Sequence, residues 1–283
     1  MLTSAQQEHI LTRAYVPEHL VGLMTRVSGG EPYLVEDFFC CRKDDFMIVV
    51  GYPLERPFAV RLMEAILDRV TREFAPRRVS FIAPEIPPSY GSSCIERESD
   101  SYFVLELGKA RYRSNVKRAV RKARENSVVE RAALFTSDHW ELTEEFVERV
   151  KPHPRVRELL FRMPNYVGHS DRAIVLNAWR ADRKLAAFSV VDLSAKNFST
   201  YVIGAHSKKH QVPGASDLLF KEMIDVTQEC DKSYIHLGLG VNEGIRGFKK
   251  KWGGIPTLPY EMCEIAVRKP SFVEALLAYA TKR

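Results

Sequence analysis

The sequence predicts an α+β protein, and three features of the 283-residue chain carry that prediction. Three segments between residues 173 and 205 alternate apolar and polar residues, the period of two that suits a strand. Segments on either side repeat apolar residues every three or four positions, as helices packed on a sheet do. A glycine-punctuated stretch, YIHLGLGVNEGIRGFKKKWGG at 234–254, joins a short apolar strand to a basic helix. Such a strand–turn–helix can aim backbone N–H groups and cations at an anionic or acyl ligand, or it can be a solvated helix closed by glycine. The length allows one large domain or two ordinary ones.

Composition narrows the class. The chain is 45% apolar and 28% charged, close to an average globular protein. Its net charge of +6 suits an anionic substrate but does not by itself indicate nucleic acid. Five cysteines, at 40, 41, 94, 230 and 263, are odd in number and lack CxxC spacing. No disulfide framework or zinc ribbon is expected, and a cytoplasmic setting follows. The first residues lack a signal-peptide core, and no apolar run is long enough to span a membrane.

In chain order, residues 1–30 read as a helical lead-in with Leu20, Leu23, Met24 and Val27 on one face and Gly29–Gly30 at its end. Residues 33–41 and 45–52 read as two strands of a hairpin, rich in aromatic and β-branched side chains. Cys40 and Cys41 lie in the first and are read as packing residues rather than a redox pair. A helix over 58–74 carries Val60, Met63, Ile66, Leu67 and Val70 on one face. Strands at 77–83 and 101–107 complete a β-β-α-β-β first third with no nucleotide fingerprint.

Residues 109–126, KARYRSNVKRAVRKAREN, form an amphipathic basic helix with Tyr112, Val116, Ala119, Val120 and Ala123 as its apolar stripe. Its cations could bind an anion or simply be a solvated face. A helix at 138–150 follows, and then one or two helical turns at 155–163 between prolines. Strands at 173–180, 184–193 and 197–205 precede a helix at 217–230, the 234–254 stretch, a strand at 260–267 and a helix near 271–280.

The element order after residue 110, together with three local matches, resembles the GCN5-related N-acetyltransferase (GNAT) superfamily. More narrowly it is similar to the Fem-like and BioF2-like acyltransferase branch, which contains peptidoglycan aminoacyltransferases. The matches are Ser114–Asn126 (SNVKRAVRKAREN), the basic helix that opens that branch; Gln211-Val212-Pro213-Gly214-Ala215-Ser216; and Phe248-Lys249-Lys250-Lys251-Trp252-Gly253. The second is a relative of the Q/R-x-x-G-x-G/A turn that cradles a cofactor pyrophosphate, with Ser216 in place of the final Gly or Ala. The third fits the F-K-x-x-F/W-G element of the Fem-like branch. Lys249 stands near the place where many acetyltransferases carry a tyrosine acid.

The resemblance implies a tandem GNAT-like fold: a partial or degenerate unit over 1–108 and a complete acyltransferase unit over 109–283. It implies transfer of an acyl or aminoacyl group to an amine of a cell-envelope precursor or a small molecule. The donor would be acetyl-CoA, another acyl-CoA or an aminoacyl-tRNA. The long helical hairpin of some Fem-family members is absent. Residues 211–216 would bind the donor, with Asn242 at the start of the basic helix, using N–H groups at a positive helix end. Lys249 would offset the charge of a tetrahedral oxyanion; its rival role is surface solubility.

Three further side chains are candidates for proton transfer: His206 at a strand end, Glu243 in a first helical turn, and Tyr201 on a central strand. Glu243 is also a favourable dipole partner. His206 and His210 are four apart, but a metal site would need a third ligand. The alternatives to an enzyme are an anion-binding module that kept the fold without the chemistry, and an RNA-binding protein using the 109–126 helix.

Overall fold

The structure, a computed structural model, describes residues 2–109 and 114–267. The helix expected near 271–280, and Tyr112 of the basic helix, lie outside the described residues.

The chain opens with α1 (Ser4–Arg13), a 3-10 turn at Pro17–His19 and α2 (Val21–Ser28). A capping box between Thr3 and Gln6 starts α1, and Gly29, at φ 69°, ends α2. Then come β1 (Glu31–Val35), β2 (Phe38–Lys43), β3 (Phe46–Val50), α3 (Val60–Phe74), β4 (Arg78–Ala83), the one-turn α4 (Pro88–Gly91) and β5 (Cys94–Glu106). They are followed by α5 (Ser114–Arg124), β6 (Val128–Ala132), α6 (Ser137–Val150), α7 (Pro154–Val167), β7 (Ala173–Trp179), β8 (Leu185–Asp192) and β9 (Phe198–His206). The series closes with α8 (Ala215–Glu229), β10 (Tyr234–Leu239), α9 (Glu243–Lys251) and β11 (Ile255–Ala266).

Several expected elements need correction. The strand expected at 33–41 is two strands, split where Glu36 turns into the left-handed region at φ 55° with no glycine or proline to announce it. β5 begins at Cys94, well before residue 101, because its first half is exposed and carries no apolar alternation. β6 was not expected; it is an edge strand whose residues are mostly exposed, so the period-two signal is missing. α7 runs fourteen residues straight through Pro164, where one or two turns were expected.

Two compact units form, and both are discontinuous in sequence. Of the described residues the first comprises 2, 30–99 and 259–267, the second 3–29 with 100–258. The boundary expected at 108/109 falls inside the second unit. The crossings have a plain cause: β11, the last strand among the described residues, pairs antiparallel with β4 from Glu261↔Ala83 to Ala266↔Arg78.

In the first unit the strands lie in the order β1-β2-β3-β4-β11, and the apolar face of α3, Met63, Ile66, Leu67 and Val70, packs on them. Cys40 and Cys41 are buried, and burial pushes the Cys40 thiol pKa up. Cys94 and Cys263, 169 residues apart, form a disulfide with Cα atoms 5.4 Å apart. No sequence spacing announced that pair; β11 brings it together.

In the second unit the order is β5-β10-β9-β8-β7-β6. One face is covered by α5 and α8, with Val116, Leu218, Leu219, Met223 and Trp252 in that core. The opposite face is covered by α2, α6 and α7, with Leu23, Leu142, Leu160, Met163 and Phe198. β9 and β10 are the parallel neighbours, and they pair only from Tyr234↔Phe198 to His236↔Thr200. Beyond that point β9 continues to His206 and β10 to Leu239 without further pairing, so the two strands part. β9 also carries a bulge against β8: Tyr201 faces Val191 and Ile203 faces Val190, leaving Val202 as the extra residue.

Candidate active site

The parting of β9 and β10 leaves strand backbone beside α8 and α9, and the glycines of the sequence explain how those helices are set. Gly214, at φ 85°, is the N-cap of α8, and a Cβ there would lie 2.6 Å from the Ala119 carbonyl oxygen on α5. Only glycine meets both demands, the left-handed backbone and the close approach. The Ala215 amide donates to Val212 O at 3.1 Å, and the first turn of α8 opens at this point. Val212 and Ala215 are buried in the core, whereas Gln211 and Pro213 are exposed and Ser216 is half-buried. The turn is thus anchored by its apolar members and presents the rest outward. Asp217 lies in the same first turn, where a carboxylate suits the positive helix end.

α9 is held at both ends. Asn242 is its N-cap, and the side-chain oxygen accepts the Ile245 N–H at 3.0 Å, which occupies that oxygen in helix capping. At the other end the Gly253 N–H donates to Lys250 O at 3.0 Å and the Gly254 N–H to Lys249 O at 2.9 Å, the two bonds of a Schellman closure. Gly253 takes φ 91°, as that closure requires.

The three lysines then have three fates. Lys250 is exposed. Lys251 Nζ pairs with the Asp217 carboxylate at 2.7 Å, and the indole N–H of buried Trp252 donates to the same carboxylate at 2.9 Å. These contacts fasten the end of α9 to the start of α8. Lys249 is 4% exposed; its ammonium donates to the Leu239 carbonyl at the end of β10 and sits 5.7 Å from the Phe103 ring centre. Burial pushes its pKa down to about 8, opposed by the negative charge of Asp100.

The other sequence candidates are dispersed. Tyr201 is half-buried, lies over Gly204 and contacts Phe220 on α8. Burial pushes its pKa up to about 12, so it is a neutral phenol at physiological pH. Glu243 is solvent-exposed and pairs with Arg246 at 3.2 Å one turn along α9. His206 is exposed at the far end of β9, its carbonyl bonded to Arg149 of α6 at 2.9 Å. Burial and the nearby Arg149 and Lys208 charges lower its pKa. The structure therefore ties Lys251 and Trp252 to the start of α8, just after the 211–216 turn, through Asp217, while Lys249 lies apart from them against Leu239 and Phe103. Glu243 is turned to solvent, and the His206 carbonyl is bonded to α6.

Sequence reasoning missed His236 and Asp217. His236, in the strand YIHLGL, is fully buried, its Nδ1 accepting the Gly238 N–H at 3.2 Å. A polar ring inside an apolar strand was the available signal. On α5 the side chains of Lys117, Arg118, Arg121, Lys122 and Arg124 are exposed.

No family model matches the chain, and no curated protein matches it in sequence. Solved structures do resemble it. L-PGS from Bacillus licheniformis has a TM-score of 0.60 at 13% identity, covering 99% of this chain and 98% of that one. FemX has a TM-score of 0.60 at 11% identity, covering 92% and 96%. A tandem GNAT protein from the clavulanic acid biosynthesis pathway has 0.57 at 11%, covering 95% and 96%. The chain has the tandem GNAT fold. At these identities the likeness is one of fold, and fold alone does not fix function. Among its described residues no helix is long and apolar enough to cross a membrane.

Proposed function

We propose that the chain transfers an acyl or aminoacyl group to the amine of a cell-envelope precursor or small molecule. The observation that carries this reading is Lys249. A lysine 4% exposed, held against the carbonyl at the end of β10 and over the Phe103 ring of β5, is an expensive feature to build for solubility alone. In acyl transfer the carbonyl oxygen becomes an oxyanion as the amine attacks, and a fixed cation in a desolvated site stabilises that charge. The first-turn amides of α8 would receive the phosphates of the donor. Residues 211–216 present that turn, and Tyr201 would line the acyl end as a neutral phenol.

A phosphate-binding role for this turn would suit acetyl-CoA or a longer acyl-CoA as the donor. The exposed cations of α5, beside the turn through the Ala119–Gly214 approach, keep aminoacyl-tRNA as the second donor class.

A thermal-shift titration with CoA, acetyl-CoA and longer acyl-CoAs tests the reading, repeated on Ser216→Glu and Lys249→Met. Ser216 is preferable to Gly214 because a glutamate in a first helical turn is compatible with folding while its charge repels phosphate. Ligand at about 100 times its Kd adds about 2.7 kcal/mol, a shift of several degrees. The expected pattern is a shift lost in Ser216→Glu and kept in Lys249→Met, with Lys249→Met slowing transfer by about 10²–10³. No shift with any CoA sends the thioester donor out and brings aminoacyl-tRNA forward.

A further inference from the structure

Two buried side-chain atoms without a hydrogen-bond partner are neighbours across the last residue pair that joins β9 to β10. They are Nε2 of His236 and Oγ1 of Thr200. His236 is 0% exposed and Thr200 2%. Buried polar groups are nearly always satisfied, so two orphans side by side mark a place that a polar atom from outside the protein fills. The pair lies where the strands begin to part. It faces away from α8: Ile235 and Leu237 pack toward α8, whereas the His236 ring lies against Phe198 of the opposite core, centroids 5.8 Å apart.

The chemistry of the pair is specific. The Gly238 N–H occupies Nδ1, which assigns the ring proton to Nε2. The ring stays neutral because burial, with the charges of Lys249 and His19 nearby, pushes its pKa down to about 3. His236 is therefore a neutral N–H donor with no lone pair left to act as a base. The Thr200 hydroxyl can donate or accept beside it. Tyr102 packs edge-on to His236 at 5.0 Å and donates its hydroxyl to the Glu18 carboxylate at 2.7 Å. Burial raises the pKa of Glu18, opposed by that hydrogen bond, so the carboxylate form gains from a cation beside it.

We propose that His236 and Thr200 receive an uncharged oxygen, hydroxyl or carbonyl, of the acceptor, whose amino group lies toward Glu18. The acceptor class is then an amine that also carries an uncharged oxygen. This rests on the acyl-transfer reading for the word acceptor, but not for the binding itself.

The test needs no acyl donor, so it stands or falls separately from the CoA titration. Long-range 1H–15N spectra of histidine-labelled protein read the His236 ring directly. The probes are ethanolamine and propylamine, equal in heavy atoms and differing in one oxygen, at up to about 100 mM as befits ligands this small. His236 is expected as the neutral Nε2–H form, with its signal moved by ethanolamine at about tenfold lower concentration than by propylamine. Thr200→Val, isosteric and without a protein hydrogen bond to lose, should fold normally and bring the two amines within about twofold. Glu18→Gln should weaken both alike, and His236→Gln, which keeps a side-chain N–H, should retain more of the preference than His236→Leu. Equal responses to the two amines, no response to either, or an Nδ1–H ring overturns the proposal; in the second case the atoms hold water only.

Discussion

The Ala119 carbonyl oxygen of α5 lies 2.6 Å from the place a Cβ on Gly214 would occupy. The basic helix and the start of α8 are therefore in backbone contact, and the 211–216 turn owes its shape to that contact. Gly214→Ala combines a left-handed backbone with a steric conflict and should cost about 2–4 kcal/mol. Gly247, in the middle of α9 with nothing within 4 Å of its would-be Cβ, is the control. Gly247→Ala should stabilise by about 0.5–1 kcal/mol. Urea unfolding of both variants reads the two signs, and equal effects would refute the close approach.

Lys249 gives two pH dependences of opposite sign. Its folded pKa is lowered to about 8 from an ordinary 10.5, so between those values the unfolded chain binds more protons than the folded one. The contribution of this residue to stability therefore rises with pH across that window, by on the order of 3 kcal/mol. The oxyanion-stabilising role proposed for it needs the proton, so transfer should decline above pH about 8. Guanidinium melts of the protein against Lys249→Met, from pH 7 to 10, should show the stability difference moving in favour of the lysine. A difference flat with pH would mean that the ammonium is not buried.

The cysteines make a count. With Cys94 and Cys263 paired, the unfolded, unreduced chain should give three thiols with Ellman's reagent, and the folded chain should show one fast thiol, exposed Cys230. Reduction, or Cys94→Ala with Cys263→Ala, should cost about 2–5 kcal/mol, because the bond closes a long loop of the unfolded chain. Five thiols in the unfolded chain would show that the pair is not bonded.

How much of this could be read in advance varied with how local the cause was. α3 was plain because Val60, Met63, Ile66, Leu67 and Val70 repeat at helical spacing, and they meet one core. α9 was plain from its Gly253–Gly254 ending. β6 and the first half of β5 were not, since their residues are mostly exposed and a strand without a buried face leaves no alternation. The split at Glu36 was hidden because a non-glycine residue adopted the left-handed turn.

In the candidate site the same division holds. The sequence by itself determined that a glycine turn precedes α8 and that Lys249, Lys250 and Lys251 end a helix, since both follow from residues adjacent in the chain. Successive helical residues point about 100° apart, so three lysines must face three ways. Which one is buried was decided only when Phe248 and Trp252, four apart, turned that side of α9 into the core. Likewise, His236 and Thr200 are ordinary strand residues until the parallel register of β9 and β10 sets them side by side. Cys94 and Cys263 are strangers until β11 returns to β4. Burial and register join positions far apart in the chain, and only the folded backbone fixes them.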